Sequence, residues 1–341
     1  MKNKPIVIGD QTVQPGEKQM VSLEAPSLYV ETPIRIPTYI FNGEKSGPRL
    51  FLIGTIHGDE LNSVQIIRRI ISYPHLIKKL RGTLIAVPVA NIYGFASMTR
   101  ILPDNRDLNR AFPGSKQGSL AARLAYLLTT EVINQCTHGI DFHTAAVNRT
   151  NLPQIRIDPA VHGTLSMAKA FNAPVILETK LRPGSMREIS TARNIPLLVY
   201  EGGQGMRFDK VAIRSGIQGI LNVLSYLRML PPPKKPVKFS SKIARASNWV
   251  RMPASGIVTH LKPLGALFKR HETLAIISNP FTNEETVVVA PKKGIVIGKN
   301  NLPILNEGDP LLHIAYFQKT RGLVSAIENL ENIDFEEWYD E

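Results

Sequence analysis

The sequence predicts an α/β protein, a sheet covered by helices, followed by a smaller all-β barrel or sandwich module. Between about residues 50 and 230, apolar strand-like runs alternate with helix-like ones, the pattern of a helix-flanked sheet. A proline-lysine segment at 231–236 then breaks the chain. Beyond it, short apolar runs are spaced by Gly, Pro and Asn turns, as in a small β module.

Before residue 46, Pro and Gly are frequent and the runs are short and β-branched, which predicts an N-terminal β extension over 1–45 packed on the main sheet. The run 50–53 (LFLI) reads as a buried strand, and 61–71 reads as a helix. Gly54 and Gly58 are expected to let the intervening turn bend. Further strands are predicted at 83–89 and 196–200, and residues 140–143 end another. Residues 120–133 and 210–230 read as amphipathic helices, the second stopped by Pro231-Pro232-Pro233, since proline lacks the amide a helix needs. A domain over 1–230 follows, with a semi-rigid linker over 231–238. The β module spans 239–318, with runs at 256–258, 273–277, 286–289, 294–297 and 310–314. Ala254-Ser255-Gly256 and Lys292-Lys293-Gly294 resemble the paired halves of a biotinyl/lipoyl-type barrel. No lysine there sits in a carrier motif, so a structural module that flanks or shades a site is expected.

At 341 residues, one large domain plus a smaller one is the natural division, and a 43% hydrophobic fraction suffices for a core. The single cysteine, Cys136, has no disulfide partner within the chain and lies in a helix-like run, which fits a buried thiol in a reducing compartment. No signal-peptide pattern and no bilayer-length apolar run is present, so a soluble cytoplasmic protein without membrane contact is expected. The net charge of +13 attracts acidic partners. The basic residues are scattered and no nucleic-acid motif appears, so an acidic substrate or acidic protein tail is favoured over nucleic acid. Residues 319–341 read as an acidic, aromatic-interleaved tail able to fold back or to bridge a neighbouring subunit of a homo-oligomer.

The chemistry concentrates at strand ends. His57 and Glu60 follow the 50–53 strand, and His143 ends the 140–143 run, so the carboxyl edge of one sheet can collect two imidazoles and a carboxylate. That ligand count leaves a fourth zinc position open, as in catalytic sites. His75, His138, His162, His260, His271 and His313 lack a partner at ligand spacing. Between residues 98 and 114, Arg100, Arg106 and Arg110 share a long loop with Asn109 and form an anion-binding surface, because a guanidinium fork fits a carboxylate. Glu201 ends the 196–200 strand before two glycines, where a general base of raised proton affinity is expected, and Arg187 offers one more anion contact on a glycine turn.

His57-Gly58-Asp59-Glu60, then 107–114 (DLNRAFPG), Asp141-Phe142-His143 and Tyr200-Glu201-Gly202-Gly203 resemble, in order and spacing, the succinylglutamate desuccinylase/aspartoacylase family of carboxypeptidase-like zinc hydrolases. The resemblance covers roughly residues 46–230, and the β module also looks like that family's appended domain. It implies a zinc-carboxypeptidase-like mixed sheet and one zinc ion held by His57, Glu60 and His143. Glu201 would act as general base and then return the proton to the departing amine. Asn109 and Arg110 would hold the carboxylate of the amino-acid half, and Arg187 a second carboxylate on the acyl half. The arginine that polarises the scissile carbonyl would be Arg100, with Arg106 second.

The function expected is hydrolysis of an N-acyl amino acid or similar carboxylate-bearing amide. Trimming of glutamates from a protein or peptide tail is the runner-up, and the net charge of +13 favours it. From another class, a non-catalytic basic binding module is disfavoured by Glu201 and by the open ligand position. The acyl group is not legible.

Overall fold

The computed structural model describes residues 1–29, 32–232, 241–317 and 322–331. Its centre is four parallel strands ordered Leu197–Gln204, His138–Ala145, Lys45–Gly54 and Arg81–Val87. Antiparallel strands widen this centre on both sides. Arg35–Asn42 and Glu17–Glu24 continue it beyond Arg81–Val87, and Arg149–Ile157 pairs with Leu197–Gln204. The result is a large mixed sheet flanked by helices.

The central strands are apolar on both faces because both faces are covered. Phe51, Ile53, Ile85 and Val87 pack against Leu124, Ala125 and Leu128 of helix Leu120–Glu131. Leu50, Leu52, Ile140, Phe142 and Tyr200 face the other way, toward helices Asn62–Ile71, Thr164–Phe171 and Lys210–Tyr226. Asp209 caps the last of these by accepting the Ala212 amide at 2.9 Å. That helix ends at Tyr226, short of the prolines, where Arg228 turns the chain with φ 57°.

The strands after the linker divide between two sheets. Gly294–Asn300, Pro310–Tyr316 and Ala246–Arg251 continue the main sheet from Arg149–Ile157, with Gly298 opposite Asn151. Gly256–Leu261, Thr273–Ser278, Glu285–Val289 and Ile304–Leu305 form a separate four-stranded antiparallel sheet. Leu274, Ala275 and Ile277 pack with Leu311, Leu312 and Ile314 to hold the two together. Linker residues 233–238 lie outside the described residues. So does most of the acidic C-terminal cluster, but Leu323–Glu331, inside the span expected as a tail, is a helix with Leu323, Ala326 and Leu330 buried. Among the described residues, no helix is long and apolar enough to cross a membrane. Cys136 is buried, and burial pushes its thiol pKa up.

Candidate active site

The carboxyl ends of the central strands collect the site. His57 and Glu60 lie in the turn after Lys45–Gly54, and His143 and Glu201 stand opposite each other in the register of neighbouring parallel strands. The turn bends at Thr55, with φ 52°, rather than at the glycines. Gly58 is required for another reason: a Cβ there would lie 1.9 Å from the Gly94 backbone. The close approach of the helix Ile92–Ser97, not torsional freedom, fixes that glycine.

His57 Nδ1 lies 2.7 Å from Glu60 Oε1, His143 Nδ1 lies 2.9 Å from Glu60 Oε2, and the two Nδ1 atoms are 3.2 Å apart. All three side chains are buried, and their ligand atoms lie within 4.8 Å of one another. The opposite ring nitrogens meet carboxylates: His57 Nε2 is 3.1 Å from Asp107 Oδ1 and His143 Nε2 is 2.9 Å from Asp141 Oδ2. A carboxylate behind each imidazole fixes the tautomer that leaves Nδ1 as the lone-pair donor, the usual support of a metal-binding histidine. The backbone amide of Thr144 donates to Glu60 Oε2 at 3.0 Å. This donor set fits a divalent metal ion, and His57, Glu60 and His143 form a group able to hold one.

The electrostatics show what the cluster must neutralise. Burial opposes a charged imidazole at His143, but the carboxylates of Asp141 and Glu60 outweigh it and hold the pKa well above 6.5. His57 is raised in the same way, burial being outweighed by Glu60 and Asp107. Burial also opposes the Glu60 carboxylate, yet both imidazoles hold it well below the usual range. Asp107 is lowered against its own burial by His57 and Arg100.

The cavity over this group has a volume of about 380 Å³. Arg100, Asn109, Arg110, Arg187 and Glu201 all line it. Arg100 bridges Glu60 at 3.2 Å and Asp107 at 3.0 Å. Asn109 Oδ1 accepts the Met186 amide at 3.0 Å, which leaves its amide nitrogen to donate. Arg187 is buried, and its guanidinium donates to Thr179 Oγ1 and to the Lys180 carbonyl at 2.6 Å. Arg106 is not with these residues. It is exposed and pairs with Asp104 at 3.4 Å. Glu201 does not sit against an apolar wall: its oxygens meet Arg156 at 3.1 Å and Asn151 at 2.9 Å.

Sequence reasoning missed the supporting residues Asp107, Asp141, Asn151, Arg149, Arg156, Arg182 and Trp249. Asp141 was available from strand alternation, since Asp141 and His143 must share a face. The others arrive from strands and loops whose pairing is not local. Trp249, from the strand Ala246–Arg251, brings the C-terminal part of the chain to the cavity, with Arg149 5.6 Å over its ring and His313 stacked at 4.9 Å.

A mixed sheet with a buried His-Glu-His group at its carboxyl edge gives this α/β frame a candidate metal centre. Residues 46–227 match the succinylglutamate desuccinylase/aspartoacylase catalytic domain, and the chain belongs to that family. The N-alpha-acetyl-L-2,4-diaminobutyric acid deacetylase of Halomonas elongata is 24% identical over 306 residues, 85% of this chain and 88% of its own. The crystal structure of a succinylglutamate desuccinylase/aspartoacylase from Rhodobacter sphaeroides is similar with TM-score 0.78 and 24% identity, over 88% of this chain and 96% of that one. The product-bound ectoine utilization protein EutE (DoeB) from Ruegeria pomeroyi shares TM-score 0.78 and 21% identity, over 92% and 99%.

Proposed function

We propose that this protein is a zinc-dependent amidohydrolase that cleaves an N-acyl amino acid, or a similar carboxylate-bearing amide, into an acid and an amine. The observation that carries this reading is the placement of Glu201 opposite His143, in one cavity with the His57/Glu60/His143 group and Arg100. His57, Glu60 and His143 would hold the zinc, which when bound supplies Lewis acidity and brings the proton affinity of a water molecule toward neutrality.

The chain's own groups divide the remaining work. Glu201 accepts a proton from the attacking water at a carboxylate oxygen and returns it to the amine nitrogen as the carbon–nitrogen bond breaks. Arg100, held between Glu60 and Asp107, donates toward the scissile carbonyl oxygen as negative charge develops there. The free amide nitrogen of Asn109 and the Arg110 guanidinium take the carboxylate of the amino-acid half, and Arg187 adds positive potential for a carboxylate on the acyl half. Asp107 and Asp141 hold the imidazoles.

Trimming of an acidic protein or peptide tail would use the same machinery. The small cavity walled by Trp249 supports a small substrate instead. The test measures amine release by the zinc-loaded protein across N-acyl amino acids and short glutamate-ended peptides, beside Glu201→Gln. Release from the acyl amino acids alone, lost in the variant, is the expected result. Activity confined to peptides moves the assignment to tail trimming, and hydrolysis unchanged in Glu201→Gln removes the enzymatic reading.

A further inference from the structure

We infer that Arg156 and Asn151 are positioning residues that clamp the Glu201 carboxylate by its two oxygens and so set the aim of the base, an inference that deepens the reading of the site proposed above. Both come from one strand, Arg149–Ile157, antiparallel to the strand that carries Glu201. The register explains the clamp. Arg156 is paired with Val199 and Asn151 with Gly203, two positions to either side of Glu201, so each reaches the carboxylate along a diagonal. A bulge between Glu201 and Gly203 re-aims the side chain there.

Arg156 Nη1 meets Oε1 at 3.1 Å, and Asn151 Nδ2 donates to Oε2 at 2.9 Å. A glutamate has three side-chain torsions, so two contacts on opposite oxygens remove the freedom that would let a base wander from the reacting atoms. Each oxygen keeps a further lone pair for a proton. Arg156 shares the cavity wall with Arg182 and Arg187, whose pKa values are lowered by burial and by neighbouring arginine charge. Among the described residues, Glu201 is the carboxylate in contact with Arg156. Its Nε is buried with no acceptor among the described residues, so the guanidinium is committed to this one partner rather than to a network of its own.

The C-terminal strand Gly294–Asn300 backs the clamp. A Cβ at Gly298 would lie 2.8 Å from Asn151 Oδ1 and 3.1 Å from His313 Cβ, so the glycine is what lets Asn151 sit beneath Glu201. The strand's part in the site is thereby given a physical form: it sets the depth of a side chain that holds the base.

The experiment compares Arg156→Gln, Arg156→Lys, Asn151→Ala and Gly298→Ala with the wild-type protein in the zinc-loaded state. Arg156→Gln should lower kcat by about 10- to 100-fold, the worth of a hydrogen bond to a charged group, with KM changed less than threefold. Arg156→Lys should recover part of that loss, because an ammonium can still donate to Oε1. Gly298→Ala should lower kcat in the same direction as Asn151→Ala. Zinc affinity should not change in any of them. A rise in KM confined to substrates with a carboxylate on the acyl group would make Arg156 a substrate contact and overturn the inference. Losses in kcat that track a fall in thermal midpoint, with no recovery in Arg156→Lys, would make it merely structural. If no substrate is turned over by the wild-type protein, the proposed activity fails separately. The clamp is then read by carbon NMR of δ-labelled glutamate at fixed pH, with Glu201→Gln assigning the resonance: a changed Glu201 δ-carbon shift in both Arg156→Gln and Asn151→Ala supports it, and an unmoved resonance sinks it.

Discussion

Replacing Asp141 by Asn should weaken metal binding by about 10- to 100-fold, or about 1.4–2.7 kcal/mol, while leaving the fold intact. Asp141 is 1% exposed and its Oδ2 lies 2.9 Å from His143 Nε2. Asparagine keeps the shape and can still accept from Nε2, so what is removed is the charge that raises the basicity of the ligating nitrogen. The same charge is the first of the influences that hold the His143 pKa well above 6.5 against burial. A metal must displace that proton. In Asp141→Asn fewer protons compete, so the deficit in affinity should be largest above the raised titration of His143 and should shrink as pH falls. Competition titrations of zinc against a calibrated chelator between pH 6 and 9, with thermal unfolding as the folding control, measure both effects. Affinity unchanged within twofold at the alkaline end, or a deficit that grows toward acid, would refute the reasoning.

The two candidate arginines separate cleanly. Arg100→Ala should lower kcat by about two to three orders of magnitude, whereas Arg106→Ala, in an exposed pair with Asp104, should stay within twofold in the same amine-release assay. Trp249→Ala should raise KM for carboxylate-bearing substrates about two- to fivefold, the worth of a cation–π contact with Arg149, and Trp249→Phe should recover part of it. In the metal-free protein, the lowered Glu60 and Asp107 contribute stability above about pH 4 that is lost as pH falls. The raised His57 and His143 contribute stability below about pH 6.5 that is lost as pH rises through their elevated values. Calorimetric midpoints should therefore fall at both ends, and the increment from added zinc should grow with pH. Gly58→Ala, which drives a Cβ into the Gly94 backbone, should destabilise by about 3 kcal/mol or more in urea unfolding.

The parallel centre was legible because its strands are uninterrupted apolar runs ending in polar turns, and that pattern also placed His57, Glu60, His143 and Glu201 at one edge. Local signals sufficed for the starts of the helices at Leu120 and Lys210. What sequence could not show is pairing between distant strands. Nothing near Arg156 or Asn151 announces that their strand runs antiparallel beside Glu201, and nothing near Gly298 announces that it lies opposite Asn151. For the same reason a C-terminal region that reads as one module divides between two sheets. Arg106 misled because loop arginines are alike in sequence. Only the turn at Asp107, which accepts the Asn109 amide at 2.8 Å and bonds Arg100, decides which of them faces the histidines.

The net charge of +13 bears on the substrate less than the cavity does. Exposed charges more than about 10 Å apart are screened at cellular salt, so scattered lysines steer an approaching anion without choosing it. Inside the cavity, Arg100, Arg110, Arg149, Arg156, Arg182 and Arg187 stand over a floor whose carboxylates are already engaged: Glu60 and Asp141 by imidazoles, Glu201 by Arg156. An incoming carboxylate meets the charge of Arg110, Arg149, Arg182 and Arg187, which, unlike Arg100 and Arg156, contact no carboxylate among the described residues. A neutral amide meets only the penalty of displacing water from charged walls. Discrimination between them therefore originates at the site, and it should persist when salt is raised: kcat/KM for acidic substrates should fall with ionic strength through the steering component alone, while their preference over neutral analogues of equal size survives at 0.5 M salt. Loss of that preference with salt would show that the surface, and not the cavity, selects the substrate.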